Sequence, residues 1–138
     1  MGHARVSLLL DTHVWIWTQE CPEKLGPETT ASLLDPQTAL HVSTISTLEI
    51  ARLVAMGQIE LEGSLRSWVR DTLDALRCST LGISHEIAVG AYSLPAGFHR
   101  DPADRILAST ARLADLTLLT ADDKILAYPH VKSRDARR

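Results

Sequence analysis

Aromatic side chains are scarce in this chain: one phenylalanine, two tyrosines and three tryptophans, together 4% of 138 residues. A surface that reads splayed nucleic-acid bases by stacking therefore has little to draw on. Only two cysteines are present, Cys21 and Cys78, with no CxxC or histidine-rich context. That excludes the usual thiolate zinc sites and leaves reduced thiols as the expectation. No run approaches the ~20 apolar residues of a membrane-spanning helix. The apolar run 6–10 after Arg5 is broken by Asp11 and is too short for a signal peptide, which points to a cytoplasmic protein. The formal net charge of −3 argues against non-specific coating of nucleic acid. No repeat, low-complexity tract or interior Pro/Gly/Ser linker interrupts the chain, and no chemistry attaches to His3. With 45% hydrophobic residues, 1–138 reads as one globular domain with a single core, and the cationic run 132–138 as a solvated basic tail.

What is present alternates. Apolar runs at 6–10, 39–43, 79–84 and 116–120 read as strands, with a last one near 130–132. Between them, helical spacing covers the stretch after Asp11, then 27–35, 45–57 (stopped by Gly57), 64–76, 85–93, 103–114 and 122–127. Strands alternating with helices predict an α/β fold, a three-layer α/β/α sandwich around a parallel sheet. In such sheets, ligands bind beside the carboxyl ends of the strands.

Acids collect at that edge. Asp11 ends the first strand, Glu49 follows the second, Asp104 opens the helix before the fourth, and Asp122 follows the fourth. Each also has a purely structural explanation as a helix cap. Asp101 precedes Pro102 as an N-cap, with Asp104 in the first turn. Asp11 can cap the helix from Thr12, Ser46 and Glu49 fit a capping box, and Asp122 can cap the last helix. Capping alone does not explain Asp104, which shares a stripe with Leu107, Ala108 and Ala111, the face that turns inward. Several carboxylates in one crevice repel, and a helix N-terminus offsets only about 0.3–1 kcal/mol for each. A divalent cation or a basic partner residue is the natural counter-charge. Oxygen ligands without cysteine suit Mg²⁺ or Mn²⁺, and such a site can activate water for attack on a phosphodiester.

The segments "LLLDTHVWIW", "VSTISTLEIARL", "HRDPADRILASTA" and "LLTADDKIL", in this order, resemble the PIN domain, and more narrowly the VapC toxins of bacterial VapBC toxin–antitoxin modules, over Leu8 to about Val131. The resemblance implies a Mg²⁺-dependent endoribonuclease that cuts structured RNA, often tRNA or an rRNA loop, by metal-activated water attack leaving a 5′-phosphate and a 3′-hydroxyl. Carried over by motif, Asp11, Glu49, Asp104 and Asp122 are the catalytic and metal-holding acids. Asp101 and Thr120 are supporting residues, and Thr12 and Ser46 orient the site through their hydroxyls. Asp123 departs from the commoner basic or neutral neighbour of the fourth acid, which leaves Asp122 and Asp123 in competition for that role. A VapB-type antitoxin partner is also implied, placing an arginine or lysine near the acids, and a homodimer is expected from the residues themselves. Exposed apolar residues of the helices around 45–76 offer faces for both.

Arg105 and Arg112 are candidates for the RNA backbone, with surface ion pairing as the alternative. His13 and His99 flank the acids, either as general bases or as packed, hydrogen-bonding histidines. Trp15, Trp17 and Trp68 fall in apolar helical patterns, as core or dimer contacts. Among rivals, an aspartate-based phosphatase or phosphotransferase needs a second acid where "DTH" has His13. A receiver-like phosphotransferase lacks its acid pair after the first strand. A degenerate, non-enzymatic module does not need all four acids.

Overall fold

The computed structural model describes residues 6–138, so His3 and Arg5 lie outside the described residues. Strand β1 (Ser7–Leu10) is followed by helix α1 (Thr12–Glu20), a 3₁₀ turn (Pro22–Lys24) and α2 (Pro27–Leu34). Strand β2 (Ala39–Ser43) leads into α3 (Thr44–Ala55) and α4 (Leu65–Leu76), then β3 (Ser79–Leu81) and α5 (His85–Gly90). The chain finishes with α6 (Pro102–Ala114), β4 (Thr117–Thr120), α7 (Asp123–Leu126) and β5 (Ser133–Asp135). All strand pairings are parallel, in the order β3-β2-β1-β4-β5. The sandwich read from the sequence is the fold observed.

Period-2 alternation divides the core between the two faces of the sheet. Leu8, Leu10, Leu40, Val42 and Leu119 face one way, under Val14 and Trp15 of α1, Ile50 of α3 and Trp68 of α4. Leu9 and Leu118 face the other, against Leu107, Ala108 and Ala111 of α6 and Ile125 of α7. The register explains the partition: Leu8 pairs with Leu40, and Leu9 with Leu118. Trp15 and Trp68 lie tilted with ring centroids 5.4 Å apart, and Trp15 Nε1 donates to Thr72 Oγ1 at 3.0 Å, so both belong to the core. Burying each indole removes 150–250 Å² from water.

The strand order reverses at β1. From there the chain goes outward through β2 and β3, then returns to the other side of β1 as β4. The switch point between β1 and β4 opens a crevice at their carboxyl ends.

The C-terminus is not a solvated tail, and the last strand lies at 133–135, after the 130–132 of the sequence reading. The β5 strand pairs with β4 through Leu118–Ser133, Leu119–Arg134 and Thr120–Asp135. Ala136 is fully buried and accepts from the Gly26 amide at 2.9 Å, and the Thr29 amide donates to the Arg138 carbonyl at 2.9 Å. Gly26 is required by this approach, because a Cβ there would stand 2.0 Å from the Arg138 carbonyl carbon. Removal of residues 133–138 is expected to lower stability by about 2 kcal/mol or more, roughly 5–10 °C in melting temperature at this chain length. Gly26→Ala should lower it in the same direction. Thermal denaturation followed by circular dichroism checks both, and an unchanged midpoint on truncation would restore the solvated tail.

Candidate active site

Asp11 stands where β1 gives way to α1. Its backbone amide donates to the Leu119 carbonyl at 3.0 Å, tying the end of β1 to β4. Its carboxylate is buried, with 7% of the residue exposed, and is held at both oxygens. Oδ1 caps α1 by accepting from the Thr12 amide at 2.7 Å, and Oδ2 accepts from Thr120 Oγ1 at 2.7 Å. Each carboxylate oxygen has two acceptor sites, so both keep capacity for a further ligand. Thr120, fully buried at the end of β4, also accepts from the Asp122 amide at 3.0 Å through the same hydroxyl. Asp122 in turn caps α7, its Oδ1 accepting from the Lys124 amide at 2.8 Å.

Ser46 does not cap α3. The helix begins one turn earlier than the capping box requires, and Ser43 Oγ accepts from the Ile45 amide at 3.1 Å. Ser46 is instead fully buried beside Thr12, with Oγ 2.8 Å from Thr12 Oγ1, while Glu49 Oε1 lies 2.7 Å from the same oxygen. Thr12 has a single hydroxyl proton, which an ionised Glu49 takes because a carboxylate only accepts. Ser46 is then the donor to Thr12. A chain of hydroxyls thus fixes Glu49 toward the carboxyl end of β1.

On α6 the N-cap is Asp101, whose Oδ1 accepts from the Ala103 and Asp104 amides at 2.9 and 3.1 Å. Asp104 has a partner that sequence reasoning did not assign: its Oδ2 lies 2.7 Å from His99 Nε2. Of the two histidine roles considered, the hydrogen-bonding one is what the geometry shows for His99. The pair spans five residues across a capped helix start, a separation outside helical or strand spacing. His13 is exposed on the lip of the site.

Asp11, Glu49, Asp101, Asp104 and Asp122 line one hollow of about 350 Å³, together with His13, Trp17 and Ala121. No lysine or arginine lines it among the described residues. Trp17 therefore stands at the site rather than in the core, with Lys24 Nζ 5.1 Å from its ring centroid. Asp123 does not line the hollow. Its side chain is 83% exposed and accepts from Arg137 at 2.6 Å. A larger groove of about 710 Å³ between the end of α1 and α4 holds Glu20, Glu60, Glu62 and Asp71, away from the strand ends.

Among the described residues, neither Arg105 nor Arg112 forms a surface ion pair. Arg105 donates to the Ala91 and Phe98 carbonyls at 3.1 and 3.2 Å, and Arg112 donates to the His130 carbonyl. Each guanidinium satisfies loop carbonyls that the sheet and helices leave unpaired.

The electrostatics follow from burial without counter-charge. Burial raises Asp11 and Glu49 above their ordinary values, against the hydrogen bonds of Thr120 and Thr12. Asp104 is pushed up to about 7, chiefly by burial and further by the charges of Asp11 and Asp101, with the His99 bond opposing. The donor chemistry fits a hard divalent cation. His99, Asp104 and Asp122 each offer a ligand atom within 4.8 Å of the others, and Asp11 and Glu49 line the same hollow outside that tight group.

A raised carboxylate in the folded chain binds a proton that the unfolded chain has lost between pH 3.8 and about 7, so metal-free stability should fall as pH rises through that window. Denaturant titrations in EDTA at pH 4.5 and 7.5 are expected to show this fall, and Asp104→Asn to flatten it. Millimolar Mg²⁺ or Mn²⁺ at pH 7.5 should restore stability, by about 2.7 kcal/mol at a hundredfold excess over its Kd.

Comparison with known proteins places this geometry in a lineage. Residues 8–131 match the PIN domain family. Ribonuclease VapC22 of Mycobacterium tuberculosis is 32% identical over 124 residues, covering 90% of this chain and 93% of that protein. Among solved structures, VapBC2 from Rickettsia felis, bound to a DNA fragment from its promoter, matches with TM-score 0.70 and 17% identity over 94% of this chain and 98% of that one. DNA-bound VapBC from Salmonella typhimurium matches with TM-score 0.68 and 19% identity, over the same shares. With acids gathered at the switch point of a parallel sheet and this sequence match over nine-tenths of its length, the chain belongs to the PIN domain family as a VapC-type nuclease.

Proposed function

We propose that this protein is a Mg²⁺- or Mn²⁺-dependent endoribonuclease acting on structured RNA, tRNA or rRNA, and the toxin of a VapBC module. The observation that carries the reading is the hollow itself: five carboxylates at the sheet's switch point with no lysine or arginine among its lining. The named relative is a ribonuclease, and the structural neighbours are toxin–antitoxin complexes, which supports the same reading.

In this reading Asp11, Glu49, Asp104 and Asp122 hold the cation, and Asp122 rather than Asp123 is the fourth acid, because only Asp122 faces the hollow. The bound cation supplies positive charge to a phosphodiester oxygen and makes water a stronger nucleophile. The chain's own residues do the rest. Thr120 fixes Asp11 and the Asp122 backbone together, and Thr12 with Ser46 fixes Glu49. Asp101 sets the first turn of α6 and adds negative charge as an outer residue. His99 Nε2 donates to Asp104 Oδ2 when that group is ionised and so orients it.

The partner is a VapB-type antitoxin, whose arginine or lysine enters the hollow and competes with the cation for the carboxylates. Leu48 and Met56, 65% and 60% exposed on and just after α3, suit a homodimer or antitoxin contact. No helix of the described residues is long and apolar enough to cross a membrane. An enzyme of tRNA or rRNA works in the cytoplasm, where those substrates are.

Incubation with total RNA tests the reading: cleavage with Mg²⁺ or Mn²⁺, none with EDTA, and 5′-phosphate ends on the products. Asp11→Asn and Asp122→Asn should each lower kcat by about 100-fold or more, the several kcal/mol carried by a cation ligand. Asp123→Asn should stay within about twofold of the parent. Cleavage surviving EDTA, or a beryllofluoride-trapped phosphoenzyme, would favour the phosphatase or phosphotransferase alternative.

A further inference from the structure

Arg105 follows Asp104 directly on α6, yet its guanidinium is committed to the preceding loop. Nη1 donates to the Ala91 carbonyl and Nη2 to the Phe98 carbonyl, while the group lies 5.1 Å over the Tyr92 ring and 5.8 Å over Phe98. The loop it grips, residues 91–101, has no helix or strand and includes Gly97 at φ +101°. Holding such a segment in one conformation opposes chain entropy, so it needs anchors. A third comes from Tyr128, whose hydroxyl donates to the Pro95 carbonyl at 2.6 Å and whose ring meets Phe98 edge-on at 4.8 Å.

These anchors end at the site. Phe98 stacks on His99 with centroids 4.4 Å apart and planes 21° off parallel, and His99 Nε2 meets Asp104 at 2.7 Å. The circuit leaves α6 at Arg105, runs through Phe98 and His99, and returns to α6 at Asp104. Two of the five N–H donors of this rigid planar fork are spent on the Ala91 and Phe98 carbonyls, one from each Nη, and the group is set against two rings, so its orientation is fixed by the loop.

We infer that Arg105 is a positioning residue: it fixes the 91–101 loop so that His99 reaches Asp104 and aims that carboxylate into the acidic hollow. The inference rests on the cation-dependent nuclease reading of the hollow, and deepens it by assigning a residue that acts through another. Partners outside a ligand set commonly change metal affinity or activity by about 10–100-fold.

The test uses the full chain with Arg105→Ala, Arg105→Lys and Tyr128→Phe. One readout needs no RNA: Mn²⁺ broadening of the His99 imidazole resonances in ¹⁵N-histidine-labelled protein. The other is steady-state RNA cleavage at two salt concentrations. Arg105→Ala is expected to move the His99 resonances, weaken the Mn²⁺ response about tenfold, and lower kcat about 10–100-fold at constant KM and salt slope. Tyr128→Phe should shift the same resonances by less. The inference is overturned if His99 stays unmoved while KM rises and the salt slope falls by about one, the signature of a lost phosphate contact. Should Arg105→Ala fail to fold by circular dichroism, Arg105→Lys and Tyr128→Phe are judged by the same criteria. If the parent protein cleaves no RNA, the nuclease reading falls, and the His99 response to Mn²⁺ still decides the role of Arg105.

Discussion

A single hydroxyl, Thr120 Oγ1, joins the two strands on either side of the sheet's switch point. It donates to Asp11 and accepts from the Asp122 amide, so the acid after β1 and the acid after β4 share one fully buried hinge. The hydroxyl works because β1 and β4 are in register, Leu10 opposite Leu119, and because the Asp11 amide extends that ladder by one bond to the Leu119 carbonyl. Packing of the leucine runs sets the register, the register sets the hydroxyl, and the hydroxyl sets the carboxylates. Replacing Thr120 by an apolar residue of similar shape would leave Oδ2 of a buried carboxylate without its donor, the costly half of a hydrogen bond.

The site is built against stability. Five acids around about 350 Å³ cannot all ionise cheaply, and burial pushes Asp104 up to about 7. The chain reduces the conflict by dual use. Asp11, Asp101 and Asp122 each cap a helix with one oxygen, and all three line the hollow as well. A cap satisfies amides that would otherwise be orphaned, and a negative charge at a helix N-terminus gains about 0.3–1 kcal/mol from the macrodipole. Capping and cation binding are therefore not competing explanations of these residues. The same geometry suits capping and the proposed cation binding alike, since the helix N-termini and strand C-termini meet at one edge.

The legible parts of the sequence were those where physics leaves a periodic trace. Leu8, Leu9 and Leu10, buried on both faces of a parallel strand, read as a continuous apolar run, and Asp104 betrayed itself by sharing a stripe with Leu107 and Ala111. Ser46 misled because S-x-x-E fits a capping box wherever it occurs, and the choice between Ser43 and Ser46 as cap depends on where β2 ends. The last strand is legible only to within a few residues, because Ser133, Arg134 and Asp135 form an edge with no apolar alternation; their strand character comes from the β4 ladder and from Gly26 admitting the chain behind them. Arg105 and His99 left no local signal, since their partners are carbonyls and a carboxylate across an irregular loop.

The formal charge of −3 conceals a strong local field, and the placement of the cations explains how. Arg137 is bound to Asp123 and Asp135, Lys132 to Asp115, and Arg105 and Arg112 to carbonyls. None of these lines the hollow, so its carboxylates keep their field. The Asp123–Arg137 pair matters here, because it draws the one extra acid beside Asp122 outward and gives it an external partner. An anionic hollow of this kind repels a phosphodiester and attracts a divalent ion, which carries twice the charge, more strongly still. For the proposed reaction, the order of binding follows from charge: a cation held by Asp11, Glu49, Asp104 and Asp122 would turn the hollow from a barrier into a phosphate site. A basic side chain from the proposed antitoxin would satisfy the same carboxylates and leave nothing for the substrate.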